Sequence, residues 1–262
     1  MRQAFRVLAL AGLLACPLGA RPLAAEDTFT LAILPDLQPE TSGTRFQERL
    51  QWLVENRSKL NLKMVLQVGD MMNFNDEAQY KHQSEALKVL DGAGIPYATC
   101  LGNHDTAAVK VDGGSAAPGN VNANLRNTAR YNAYFPTTRF KLLAGTYEPN
   151  KIDNACHVLK AGGLNWLVVN LELWARPGAV EWARTTVAKY PDHNVVFLTH
   201  AHQVLAFGFD QVFARVVVNL ARRFAMLARV FAFHAQLDRR IFKIVVVQGA
   251  DASMHAVRHA PF

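Results

Sequence analysis

Hydrophobic and polar positions change period several times along this chain. Residues 28–34 (TFTLAIL) form a short β-rich apolar run that stops at Pro35-Asp36. From Thr44 to Leu60 the pattern turns helical: Phe46, Leu50, Leu53 and Val54 fall on one face, and Thr41 or Ser42 could cap it. Residues 63–68 (KMVLQV) read as a second strand, ending at Gly69-Asp70. Residues 76–91 read as a second helix, with Ala86, Leu87 and Leu90 on one face. A third strand, 95–101 (IPYATCL), ends at Gly102-Asn103-His104-Asp105. Strand–helix–strand–helix–strand is the pattern of a parallel sheet with crossover helices. Residues 107–130 are rich in Gly, Ala, Asn and Ser and read as a long surface loop. Two more apolar strands follow at 164–171 and 194–199, the second ending in His200, with a helical stretch at 178–190 between them.

Composition bounds the picture. The 262 residues are half hydrophobic and 19% charged, which implies a packed core. The formal charge of +7 suggests nucleic acid until it is located. Residues 203–262 hold eight basic and three acidic side chains, while 26–202 are almost balanced. A nucleic-acid groove needs basic charge beside the reactive site, so that class is set aside.

The N-terminus reads as an export signal over residues 1–25. Arg2 and Arg6 precede the apolar run Val7–Ala15, and Leu23-Ala24-Ala25 fits a cleavage site. The run is far short of the roughly 20 residues a membrane span requires. The expectation is a secreted or periplasmic protein. Leu13-Leu14-Ala15-Cys16 also resembles a lipobox, which would anchor a lipidated Cys16; a buried N-terminal helix is the third option. Beyond Cys16 only Cys100 and Cys156 remain, too few for a disulfide framework.

Each predicted strand ends in a polar cluster, and ligands bind such sheets at the carboxyl ends of their strands. Asp36 and Asp70 offer carboxylates, Asn103 an amide oxygen and His200 an imidazole, all ligand types that borderline divalent metals accept. A central carboxylate can bridge two metals, which together clamp a phosphoryl group and activate water. His104 would sit beside that water and the leaving oxygen, suited to general-acid work. Taken singly, Asp36 and Asp70 read as turn formers or caps, and His200 as a satisfied core histidine. The ordered set, each member closing a strand, is what points to a centre.

Asp36-Leu37-Gln38, Gly69-Asp70-Met71-Met72-Asn73, Gly102-Asn103-His104-Asp105 and Thr199-His200 resemble four successive motifs of the calcineurin-like metallophosphoesterase superfamily. The resemblance covers about residues 28–202. Tyr131–Pro136, Gly145–Glu148 and Asn170-Leu171-Glu172 are similar to a secreted bacterial subgroup. The resemblance implies an α/β protein, a four-layer α/β/β/α sandwich whose second sheet draws on 164–171, 194–199 and 241–248. It implies hydrolysis of phosphate mono- or diesters by a metal-bound hydroxide. Two divalent or trivalent ions (Mn, Fe or Zn) would be held, one by Asp36 and Gln38 and the other by Asn103 and His200, with Asp70 bridging. His104 would assist the leaving group.

Two departures stand out. Gln38 replaces the histidine usual in the first motif and offers only a neutral oxygen. The family's final Gly-His-x-His-like motif has no counterpart, because no Gly-His pair follows His200. His202, His234, His255 and His259 are the remaining histidines, and the last two have the wrong spacing. The rival reading is therefore a metallophosphoesterase remnant that no longer turns over, with the second sheet incomplete.

The expected organisation is a signal at 1–25, the catalytic core at 26–202 and an atypical basic tail at 203–262. In the tail, Phe213, Val216, Val217, Leu220, Phe224, Leu227 and Phe231 share one helical face, so 211–233 reads as a basic amphipathic helix. It would cover the domain's own sheet, or contact a membrane or partner. The abrupt loss of acidic residues also fits out-of-frame translation after codon 203.

Overall fold

The computed structural model describes residues 29–112 and 124–200, together with the backbone of the strands at 217–218, 231–237 and 240–246. Thr30–Leu34 (β1), Leu62–Gln67 (β2) and Tyr97–Thr99 (β3) pair in parallel. Arg45–Glu55 (α1) and Arg57–Leu60 (α2) connect the first two strands, and Glu77–Ala93 (α3) connects the second and third. Ala129–Tyr134 (α4), Leu143–Thr146 (β4), Ala155–Ala161 (β5), Leu164–Asn170 (β6), Pro177–Ala188 (α5) and His193–Leu198 (β7) follow. Val217–Val218 (β8), Phe231–Leu237 (β9) and Arg240–Val246 (β10) complete the order. Two five-stranded sheets result, ordered β3-β2-β1-β10-β9 and β4-β5-β6-β7-β8.

Alternation along the strands builds the layers. Leu31 and Ile33 of β1, Met64 and Leu66 of β2, and Ala98 of β3 face Trp166 and Val168 of β6 and Val196 and Leu198 of β7. This is the apolar seam between the sheets. The intervening residues Ala32, Leu34 and Val65 point the other way, onto Phe46, Leu50 and Leu53 of α1 and Leu87 and Leu90 of α3. On the far side, Leu167, Val169 and Phe197 pack on Ala183 and Val187 of α5. Each fully buried aliphatic side chain adds roughly 1.5–3 kcal/mol over an exposed one. The four layers expected from the sequence are present.

Several expectations need correction. The helix expected over 44–60 breaks at Asn56 (φ −94°, ψ 5°), and Asn61 closes α2 in the left-handed region. Neither Thr41 nor Ser42 caps α1: the cap is Thr44, whose hydroxyl donates to Glu48 rather than to a backbone group. The strand expected within 241–248 is described as β10 over Arg240–Val246 and lies in the first sheet, not the second, with Thr30 opposite Lys243 and Ile33 opposite Val246. The helix expected over 211–233 is interrupted by β8, and its last residues belong to β9. The second sheet is not short of strands, since β4, β5 and β8 complete it. The export signal, Cys16, His202, His255 and His259 lie outside the described residues. No helix among the described residues is long and apolar enough to cross a membrane.

Candidate metal centre

β1, β2, β3 and β7 direct their carboxyl ends to one edge, and each delivers part of a polar cluster there. Asp36 follows β1, Asp70 follows β2, His104 follows β3 and His200 follows β7. One ligand atom from each of Asp36, Asp70 and His200 lies within 4.8 Å of the others. His200 Nε2 is 3.3 Å from Asp70 Oδ2, and Nδ1 is 3.7 Å from Asp36 Oδ1. His200 Nδ1 also donates to the Val68 carbonyl at 2.9 Å. A carbonyl can only accept, so Nδ1 carries a proton and Nε2 is the nitrogen turned toward Asp70.

Asp70 is the hub. Its Oδ1 accepts the His104 backbone N–H at 3.0 Å, and its Oδ2 accepts the Gln38 side-chain N–H at 2.8 Å. Gln38 is thus at the site, tied by its nitrogen, which leaves its oxygen as the atom a cation would take. Asn103 is half-buried in the turn beside His104, and its carbonyl accepts from the backbone and hydroxyl of Thr106. His104 donates from Nδ1 to the Asn73 carbonyl, so its Nε2 is the free ring nitrogen.

The backbone had to adapt to bring these groups together. Asp70 lies at φ +53° and Gly69 at φ +95°. A Cβ at Gly69 would come within 2.7 Å of the Gly102 nitrogen and 2.9 Å of His200 Nδ1. A Cβ at Gly102 would come within 2.0 Å of Asp70 Oδ1. Only glycine allows these two chains to meet. Gln67 holds the turn, accepting from Gly69 N at 2.8 Å and donating to Gly69 O at 2.7 Å.

Electrostatics favour positive charge here. Burial works against a charged His200 ring, but the hydrogen bond and charge of Asp70, joined by Asp36, outweigh it and raise its pKa to about 9. The donor set fits a divalent cation: two carboxylates, an imidazole and nearby amide oxygens, gathered where no side chain could intrude.

Three supports had no role in the sequence reading. Asp105, fully buried, accepts backbone N–H groups from Asp70, Met71, Met72 and Gly102. Burial and the Asp70 charge push its carboxyl up to about 7, while those donors hold the ionised form. Arg49 forms a buried ion pair with Glu40, two residues beyond Gln38. Gln83, also buried, donates to the Met71 carbonyl at 2.7 Å. The closing Asp of Gly-Asn-His-Asp was visible, but its partners are backbone groups that no residue pattern marks.

A family model described as calcineurin-like phosphoesterase matches residues 29–224. The chain belongs to that family. The match runs past residue 202, where the resemblance was expected to stop. The uncharacterized protein YvnB of Bacillus subtilis (strain 168) is 24% identical over 188 residues, covering 70% of this chain and 13% of that protein. The chain therefore spans about an eighth of that relative's length. Among solved structures, the sulfate thiohydrolase SoxB of Thermus thermophilus aligns at 12% identity and a TM-score of 0.39, over 76% of this chain and 37% of its own. The purple acid phosphatase PPD1 from yellow lupin (Lupinus luteus) seeds aligns at 14% identity and 0.38, over 77% and 39%. In this calcineurin-like chain the residues gathered at the sheet edge are those of the family-like motifs.

Proposed function

We propose that this protein is a metal-dependent hydrolase of phosphate mono- or diesters working at a dinuclear centre. The observation that carries the reading is the convergence of Asp36, Asp70 and His200 within 4.8 Å beside His104. Asp36, Gln38, Asp70, Asn103 and His200 would hold the cations, with Asp70 the shared carboxylate, each of its oxygens already accepting a different partner. Bound cations (Mn, Fe or Zn) supply Lewis-acid activation of water and neutralise charge on the phosphoryl oxygens. His104 supplies the proton. Nδ1 keeps its hydrogen on the Asn73 carbonyl, so the proton that reaches the leaving oxygen comes from Nε2.

The absent Gly-His-x-His-like motif favours a second reading, a family member that binds metal without turnover. Hydrolysis of nitrophenyl phosphate and its diester separates the two, with manganese, iron or zinc added and an Asp70→Asn control. Metal-dependent turnover that drops at least about 100-fold in the control supports the hydrolase. That range matches the loss of an electrostatic group acting on the transition state. A folded wild type that binds metal and turns over neither ester supports the second reading.

A further inference from the structure

We infer that Gln79, in the first turn of α3, is a positioning residue that sets the ring of His104; the inference rests on the reading of His104 as the proton donor. Gln79 Oε1 accepts the backbone N–H of Asn73 at 2.8 Å and that of Phe74 at 2.9 Å. The carbonyl of Asn73 accepts from His104 Nδ1. One amide oxygen therefore fixes two successive peptides, and the peptide beyond Asn73 presents the acceptor on which the imidazole rests.

The chemistry explains why such a hold matters. A backbone carbonyl has lone pairs and no proton, so it accepts only from an Nδ1–H ring. A proton lost to a leaving oxygen must then depart from Nε2, and the neutral ring that remains is the Nδ1–H tautomer. If the Asn73 carbonyl swings away, the ring loses both its orientation and its tautomer preference.

Gln79 does not act from a loose segment. Its backbone N–H donates to Asp76 O at 3.1 Å, inside the first turn of a 17-residue helix. Asp76 makes no side-chain cap bond, and Gln79 reaches back past it to the loop that precedes the helix. Tyr80, the next residue, donates its hydroxyl to the Asp105 carbonyl at 2.9 Å, on the other side of His104. Gln83, one turn on, donates to the Met71 carbonyl. The start of α3 thus grips the chain on both sides of the ring, and Gln79 is the member bonded to the peptide that carries the ring's acceptor.

The test uses the full chain with manganese and compares Gln79→Leu with Gln79→Glu. Phenyl phosphate needs protonation of its leaving oxygen, and dinitrophenyl phosphate does not. Gln79→Leu is expected to lower kcat on phenyl phosphate about 30-fold, less than the roughly 100- to 10,000-fold of a whole general acid because the ring is loosened and not removed, with KM and the dinitrophenyl rate held within about threefold. Gln79→Glu keeps an oxygen acceptor and is expected to restore most of the phenyl rate. A second readout needs no turnover: nitrogen–proton correlation NMR of the histidine rings, with the His104 signal assigned by its loss in His104→Asn. Wild type should show a protonated Nδ1, and Gln79→Leu a mixed pattern. Equal losses on both esters, equal behaviour of Leu and Glu, or an unchanged His104 signal would overturn the inference. Should wild type hydrolyse neither ester, the hydrolase reading falls, and the NMR comparison alone decides the role of Gln79.

Discussion

Two buried carboxylates stabilise loops at the strand ends by opposite means. Asp105, after the first sheet's β3, accepts four backbone N–H groups. Glu172, after the second sheet's β6, is equally buried but is held mainly by arginine side chains, with one backbone N–H. Its Oε1 accepts from the backbone and Nε of Arg176 at 3.0 and 2.8 Å, and Arg126 lies 3.5 Å from Oε2. One carboxylate joins two chain segments, 70–72 and its own turn at Gly102, through rigid backbone groups that cannot move away. The other joins a loop through long side chains partly open to solvent. Asp70, the hub of the candidate metal centre, sits on the first kind of support, and the contrast predicts that geometry at Asp70 is far less forgiving than geometry around Glu172.

The largest effect should come from Asp105→Ala. It leaves four donors around an unfilled site, each unsatisfied group costing about 1–3 kcal/mol. We expect a loss of at least about 4 kcal/mol in urea unfolding, with no added stability from manganese. A loss below about 1 kcal/mol would show that the four bonds are not what fixes Asp70.

Gly102→Ala should come next. The added methyl meets Asp70 Oδ1 at 2.0 Å and the Asp70 backbone nitrogen at 2.6 Å, and backbone cannot rotate aside. We expect about 2–3 kcal/mol of overpacking cost and a thermal shift with manganese that falls to nothing. A variant with wild-type metal response would mean that the two chains stand further apart than described.

The same contrast explains how much could be read in advance. β1, β2 and β3 are short apolar runs ending in Asp, Gly-Asp and Gly-Asn-His-Asp, so local composition marks both the strand and the polar cluster at its end. Asp36, Gln38, Asp70 and His200 were legible for that reason and meet in the structure. β5 was not legible, because Ala155–Ala161 carries a buried His157 and an exposed Lys160 that blur the alternation. The place of β10 was not legible either. Its apolar run marks a strand, but pairing with β1 across some 200 residues depends on which sheet edge is open. Gln79 looks like any polar helix residue until the Asn73 loop is seen against it. Supports made of backbone contacts leave no trace in residue type.

A smaller effect separates the sheets by pH. His157 of β5 is buried on the second sheet, donating or accepting only at Asn170, and burial lowers its pKa from 6.5 to about 4. The unfolded chain binds this proton first as pH falls, so stability is intact above about 6.5 and lost toward 4. The linkage amounts to about 2 kcal/mol between pH 7.5 and 5. His157→Leu should flatten that slope in urea midpoints taken at the two values. An unchanged slope would assign acid sensitivity to other groups.

The smallest effect should be Glu172→Gln. The neutral amide keeps one acceptor for the Arg176 backbone and loses the charge and the second acceptor, which faces Arg176 Nη2 and Arg126. Arg176 is 36% exposed, so water screens most of what is lost. Arg176 also retains Glu148, whose Oε2 lies 2.6 Å from Nη2. We expect about 1 kcal/mol in urea unfolding and a manganese response equal to wild type. If this single charge instead cost as much as Asp105→Ala, the second sheet's loop would be as tightly fixed as the first. The difference in bonding between the two carboxylates would then have no energetic consequence. Equal stability loss with an unchanged metal response would place the importance of Glu172 in folding alone, since its loop holds none of the three residues that converge at Asp70.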